Sequence, residues 1–159
     1  MKYLYLLLSL LLLPQATAQT TVMQHSGIDF SQPLRELHTN AAVQLSAGKP
    51  YLLTFYAPDC RFCERQLQHM QQLAASCPDA GMAVLGINGN RRELRAVLKQ
   101  YRITLPAYFP DTRLLRQLGG IAATPYTVVL DAQLQAVGSI QGYLSDTRLL
   151  AILQELGAC

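Results

Sequence analysis

The sequence predicts an α/β domain with a central mixed sheet flanked by helices. Short apolar segments of strand type alternate with segments of helical periodicity after residue 50, which is typical of this fold class. The last two strand-type segments are joined by a three-residue connection that fits a hairpin, so the sheet is expected to be mixed rather than wholly parallel. The 159 residues are 50% hydrophobic and 14% charged, which suits one folded domain and excludes a disordered chain. The net charge of +3 gives no support to nucleic-acid binding.

The first eighteen residues have the three parts of a secretory signal peptide. Lys2 supplies a positive start, residues 4–13 are nearly all leucine, and small residues occupy positions 16–18. We expect cleavage after Ala18, a mature domain over residues 19–159, and a periplasmic location that permits disulfides. Because an apolar run of about ten residues is short for a membrane span, an uncleaved N-terminal membrane anchor is the less favoured alternative.

The first half of the mature chain is predicted to contain two strands and two helices. Residues 19–31 are expected to be extended. Leucine and alanine spacing over residues 33–45, with a proline in the first turn, predicts a helix. The apolar run 51–56 is of strand type, residues 60–76 have helical spacing, and residues 82–88 form a second buried strand.

The second half continues the alternation with a helix, a strand and another helix, followed by a hairpin and a final helix. The predicted ranges are 91–101, 106–109, 112–118, 126–130, 134–140 and 145–156. A Gly-Gly pair at 119–120 ends the middle helix, and Ser145 is a suitable N-cap for the last one.

Cys60 and Cys63 are separated by two residues, where the predicted strand 51–56 leads directly into a helix. A thiolate near a helix N-terminus is stabilised by unpaired N–H groups and by the helix dipole, which lowers its pKa and makes it reactive. Cys63 is one turn later and can attack a mixed disulfide formed at Cys60, releasing the partner. We therefore interpret Cys60 as the nucleophile and Cys63 as the resolving thiol.

Two other uses of this cysteine pair are open. Cys60 and Cys63 could form half of a zinc site completed by His69 and Cys77, although the second closely spaced pair typical of such sites is missing. They could also form a purely structural disulfide. The strand-to-helix setting favours redox chemistry over both, so we assign no metal ligand and no cofactor.

The segment 55–63, Phe-Tyr-Ala-Pro-Asp-Cys-Arg-Phe-Cys, resembles the active-site segment of the thioredoxin superfamily, with Tyr56 where that superfamily usually has tryptophan. Residues 123–127, Ala-Thr-Pro-Tyr-Thr, resemble its second motif, in which a cis-proline lies beside the cysteine pair. The resemblance implies a thioredoxin fold and a cis Thr124–Pro125 bond. It also implies that the Thr124 backbone pairs with an extended substrate segment.

Two aromatic residues flank the cysteines. Tyr56 and Phe62 are predicted to form an apolar rim for substrate peptide, and they complete the predicted substrate-binding set with Thr124 and Pro125.

Residues 88–125 hold a helix, a strand and a second helix, which is more than a minimal thioredoxin has between its two motifs. This inserted segment resembles the TlpA/ResA-like branch of secreted bacterial thiol–disulfide oxidoreductases. One departure bears on the mechanism: Thr54 stands where cytosolic thioredoxins often have a buried acid that assists the resolving thiol.

The other two cysteines end two helices. In the thioredoxin arrangement, the active-site helix and the last helix lie on one face of the sheet and start at the same end. Cys77 follows Cys63 by about 14 residues, which is roughly 21 Å of helix, and Cys159 ends the last helix. The resemblance therefore implies a structural Cys77–Cys159 disulfide, with two unpaired cysteines as the alternative.

The predicted activity is thiol–disulfide exchange in the cell envelope, in the reducing direction. The resemblance implies protein disulfides as substrates and a membrane-embedded thiol relay as electron donor, and we expect a monomer. The alternatives are a disulfide oxidase or isomerase with the same chemistry, a metal-binding module for copper or zinc, and a binding or chaperone module with incidental cysteines.

Overall fold

The computed structural model describes residues 27–159, so the predicted signal peptide lies outside the described residues. Strands and helices alternate along most of this range. In chain order they are β1 Leu34–Glu36, β2 Ala42–Val43, β3 Tyr51–Tyr56, α1 Cys63–Ser76, β4 Gly81–Gly86, α2 Arg91–Tyr101, β5 Ala107–Phe109, α3 Thr112–Gln117, β6 Tyr126–Leu130, β7 Ala136–Gln141 and α4 Asp146–Glu155.

Within residues 27–159, the strands form one mixed sheet in the order β2-β1-β5-β4-β3-β6-β7. β3 and β4 are parallel, as are β4 and β5, whereas β6 is antiparallel to both β3 and β7. Every residue of β3 and β4 is buried, as expected for interior strands covered on both faces. The carboxyl end of β3 therefore leaves the sheet at a rigid, central position.

The predicted fold class is confirmed. The strand at 51–56 and the helix at 91–101 have the predicted bounds, and the final hairpin is present as β6 and β7. The helix–strand–helix segment between the two motifs is also present, as α2, β5 and α3. Ser145 caps α4 by accepting a hydrogen bond from the Arg148 N–H.

The helix predicted over residues 33–45 is wrong, because this segment forms the β1–β2 hairpin at the edge of the sheet. The Glu36 carboxylate accepts hydrogen bonds from the backbone N–H groups of His38 and Thr39, and Asn40 has a left-handed backbone with φ 64°. These side-chain-to-backbone bonds favour a turn over a helix. Leu34 and Leu37 are still buried, but as strand and turn residues.

The C-terminus is joined to the active-site helix. Cys77, which follows α1, forms a disulfide with Cys159, and their Cα atoms are 4.9 Å apart. α1 and α4 are in contact, and Cys77 is buried whereas Cys159 is exposed. α1 and α4 therefore pack against each other, and the disulfide joins the chain just after each helix.

Candidate active site

The cysteine pair lies in the turn that connects β3 to α1. The Cys60 N–H donates to the Ala57 carbonyl, the Cys63 N–H donates to the Cys60 carbonyl, and α1 begins at Cys63. Cys60 and Cys63 form a disulfide with their Cα atoms 5.4 Å apart, so the structure is that of the oxidised pair. Cys60 is 6% exposed and Cys63 is 0% exposed. An incoming thiol or disulfide therefore reaches Cys60 more readily than Cys63.

The first turn of α1 is arranged to favour negative charge at the cysteines. Its N-cap residue is Phe62, which has no side-chain acceptor for the first N–H groups of the helix. These N–H groups and the helix dipole can stabilise a thiolate at the start of α1, and the thiolate is the reactive form of a cysteine.

The Thr124–Pro125 peptide bond is cis and immediately precedes β6. Tyr126 pairs with Phe55 in the antiparallel register of β3 and β6, so Pro125 lies level with the end of β3, where the turn to Cys60 begins. Pro125 is buried and its carbonyl accepts from the Gly142 N–H, whereas Thr124 is half-buried. The topology thus brings both sequence motifs to the same end of the sheet.

Tyr56 does not belong to the rim predicted from the sequence. Its side chain is 0% exposed, and its hydroxyl donates to the Leu94 carbonyl of α2 at 3.2 Å. Burial raises the pKa of Tyr56 above its ordinary value. The physical reason is that burying this large ring against α2, with its hydroxyl hydrogen-bonded, is more favourable in free energy than exposing the ring to water.

Phe62 does lie on the surface, with 52% of its area exposed. Its ring centroid is 6.3 Å from that of Tyr143, in the loop after β7. Tyr143 was not predicted, because a residue 80 positions from the cysteines gives no local signal. Phe62 and Tyr143 are therefore the two aromatic rings in contact beside the cysteine pair.

A buried polar network lies one turn along α1 from Cys63, around the fully buried Gln66. Its Nε2 donates to the Thr127 hydroxyl at 2.8 Å, and its Oε1 accepts from the Leu144 N–H at 2.7 Å. The hydroxyls of Thr54 and Thr127 are 2.9 Å apart. Thr54 is the residue that the thioredoxin resemblance aligns with a buried acid, so the polar groups near Cys63 form a neutral network here.

Gln66 was not predicted as a site residue, although its position in the sequence carries a signal. Cys63, Gln66, Leu67 and Met70 occupy one helical face, and all four are buried. A polar residue in an apolar register needs buried partners. Those partners come from two strands and a distant loop, which local patterns do not reveal.

The zinc ligand set considered from the sequence is not assembled. Cys77 lies at the far end of α1 from Cys63 and is bonded to Cys159. Among residues 27–159, no group of three His, Cys, Asp or Glu side chains converges as a metal site. In the same range, no helix combines the length and apolar character needed to cross a membrane.

Comparison with known proteins agrees with this geometry. The profile of the AhpC/TSA family matches residues 23–137. The thiol-disulfide oxidoreductase ResA of Halalkalibacterium halodurans is 26% identical over 86 residues, which cover 53% of this chain and 49% of the relative. ResA of Oceanobacillus iheyensis is 26% identical over 120 residues, which cover 73% and 62% respectively. The chain thus spans about half to three fifths of the length of these two relatives.

Solved structures show the same fold. A DsbF homologue from Corynebacterium diphtheriae superposes with a TM-score of 0.70 at 19% identity, covering 89% of this chain and 96% of that one. A secreted disulfide oxidoreductase of Mycobacterium tuberculosis has a TM-score of 0.67 at 18% identity, with coverages of 80% and 97%. StoA from Bacillus subtilis has a TM-score of 0.61 at 14% identity, with coverages of 84% and 96%. At these identities the likeness establishes the fold alone, and the predicted thioredoxin fold is confirmed.

Proposed function

Since the chain belongs to the AhpC/TSA family of thioredoxin-like proteins, we propose that it is a thiol–disulfide oxidoreductase acting on other proteins through Cys60 and Cys63. The observation that carries the proposal is the asymmetry of the bonded pair. Cys60 retains some exposure in the turn, whereas Cys63 is closed off in the first turn of α1. The two ResA relatives, which are named thiol-disulfide oxidoreductases, support the same chemistry.

The reaction proceeds in two exchange steps. In the reduced protein, the Cys60 thiolate attacks one sulfur of a substrate disulfide, and the other substrate sulfur leaves as a thiolate that takes up a proton. Cys63, after losing its proton, attacks the Cys60 sulfur of the mixed disulfide and releases the second substrate thiol. Two electrons and two protons pass to the substrate, and the Cys60–Cys63 disulfide forms.

The substrate segment is held beside Cys60 by the cis-proline end of β6. Thr124 is half-buried and precedes the paired part of the strand, so its backbone is available to an extended peptide. Phe62, which lies between the two cysteines in the chain, supplies exposed apolar surface. Cys77 and Cys159 form a structural disulfide that takes no part in exchange.

The proposed direction is reduction, in the periplasm, by a monomer that a membrane-embedded thiol relay re-reduces. The leader at residues 1–18 supports export. The reduction potential tests the direction: a value near that of thioredoxin, about −270 mV, supports a reductase, and a value near that of DsbA, about −120 mV, contradicts it.

Trapping of mixed disulfides tests the exchange itself. Cys63→Ala, expressed with its leader, is expected to accumulate covalent adducts with envelope proteins, because nothing resolves the bond at Cys60. The matched control is Cys60→Ala, which retains only the buried thiol and is expected to trap far less. Equal trapping by the two variants, or none by either, would contradict the proposal.

A further inference from the structure

The surface next to the reactive pair is formed by two aromatic rings and two arginines, Arg61, Phe62, Arg65 and Tyr143, and is called the rim surface below. The Arg61 guanidinium lies 5.6 Å from the Phe62 ring centroid, and the Arg65 guanidinium lies 5.3 Å from that of Tyr143. The rings are 6.3 Å apart. All four side chains thus form one continuous surface that begins between the two cysteines.

Neither arginine is neutralised within the described part of the chain. Among residues 27–159, the ion pair within 4 Å joins Arg113 to Asp111 and involves neither Arg61 nor Arg65, both of which are exposed. A guanidinium stacked over a ring keeps its N–H edge free, and that edge matches a carboxylate with two parallel hydrogen bonds.

The acidic residues of the same segment leave this surface positive. Glu64 accepts a hydrogen bond from Gln68 and, among residues 27–159, forms no ion pair within 4 Å with Arg61 or Arg65. Asp59, which precedes Cys60 in the chain, is exposed and forms no ion pair with Arg61 or Arg65 within 4 Å in the described range.

We propose that the rim surface selects substrate segments that carry a carboxylate side chain within a few residues of the reactive cysteine. The aromatic rings contact the apolar part of the segment, and the two guanidiniums bind the carboxylate, which orients the substrate disulfide towards Cys60. The inference rests on the proposed function and specifies its substrate class.

The test compares three disulfide peptides that differ only at the position after the cysteine, with glutamate, glutamine or lysine. The measured quantity is kcat/KM for their reduction by the full protein. Exposed charge pairs contribute modestly, so we expect the glutamate peptide to react about five- to tenfold faster than the glutamine peptide at low salt. The advantage should fall as salt is raised.

Variants of the two arginines complete the test. Arg61→Gln/Arg65→Gln is expected to reduce the preference to less than about twofold, and Arg65→Glu to shift it towards the lysine peptide. Arg116→Gln, which removes an exposed guanidinium from α3, is the matched control and should keep the full preference. Each preference is a ratio of two kcat/KM values for the same variant, so any change in the reactivity of Cys60, measured by reduction of hydroxyethyl disulfide, cancels from it.

The outcomes separate this inference from the proposed function. Equal rates with the three peptides, or an unchanged preference in the double arginine variant, would overturn the inference while exchange at Cys60 stands. No exchange with any peptide or with hydroxyethyl disulfide would overturn both.

Discussion

Loss of the Cys77–Cys159 disulfide should destabilise the protein without impairing its chemistry. The change is Cys159→Ser: Cys159 is exposed and Cys77 is buried, so the variant loses the covalent link while the Cys77 side chain still fills its site. The bond joins residues separated by 82 positions. The loop-closure entropy of such a crosslink is worth about 4.5 kcal/mol at 25 °C, which is an upper value because unfolded chains retain structure.

We expect Cys159→Ser to lower the free energy of unfolding in urea by about 3–4 kcal/mol and the Tm by about 10 °C. Circular dichroism under non-reducing conditions measures both. Cys77→Ala/Cys159→Ser checks that a free Cys77 thiol is not the cause, and it should lose a similar amount. If the free energy of unfolding fell by less than about 0.5 kcal/mol in both variants, the stabilising effect assigned to the disulfide would be refuted. A several-fold fall in the exchange activity of the folded Cys159→Ser variant would refute the assignment of this disulfide as purely structural.

Three further changes test single features of the fold and the site. Gln66→Leu should cost about 2–3 kcal/mol in urea unfolding, because buried donors and acceptors lose their partner; a cost below about 0.5 kcal/mol would count against the network. Tyr56→Phe should cost about 1 kcal/mol through the lost bond to Leu94 and leave peptide kcat/KM unchanged, whereas a several-fold rise in KM would return Tyr56 to the substrate rim. The hydrogen bonds from Ser31 lower the pKa of Asp29, so its stabilising contribution is present above its unfolded pKa, about 3.9, and is lost as pH falls through the lower folded value. Asp29→Asn should therefore lower the urea midpoint more at pH 7 than at pH 3, and an equal loss at both would contradict the assignment.

The parts of the fold that the sequence predicts well are those whose signals are local. The start of α2 follows from a capping box, in which Asn90 accepts from the Glu93 N–H and the Glu93 carboxylate accepts from the Asn90 N–H. β3 is an uninterrupted apolar run, and the turn that follows it carries the CxxC spacing. In each of these segments, the residues that determine the structure lie within the segment itself.

The predictions that were wrong concern residues whose contacts are distant in sequence. The apolar spacing of residues 33–45 fits a helix, but the segment forms a hairpin because Arg35 pairs with Phe109 of β5 and the Arg91 guanidinium binds the Glu36 and Leu37 carbonyls. Likewise, nothing near Tyr56 in the sequence indicates that α2 covers its ring. The CxxC spacing therefore predicted the chemistry of the cysteine pair, whereas the side chains that surround the pair depend on contacts between distant segments.

The most direct test of the central claim is the order in which the two thiols of the reduced protein react. Limiting iodoacetamide at pH 7, followed by peptide mapping, measures the alkylation rate of each cysteine. The account predicts that Cys60 is modified at least tenfold faster than Cys63, because Cys60 retains exposure and sits before the free N–H groups of α1 whereas Cys63 is buried. Alkylation of Cys63 as fast as Cys60, or faster, would contradict it.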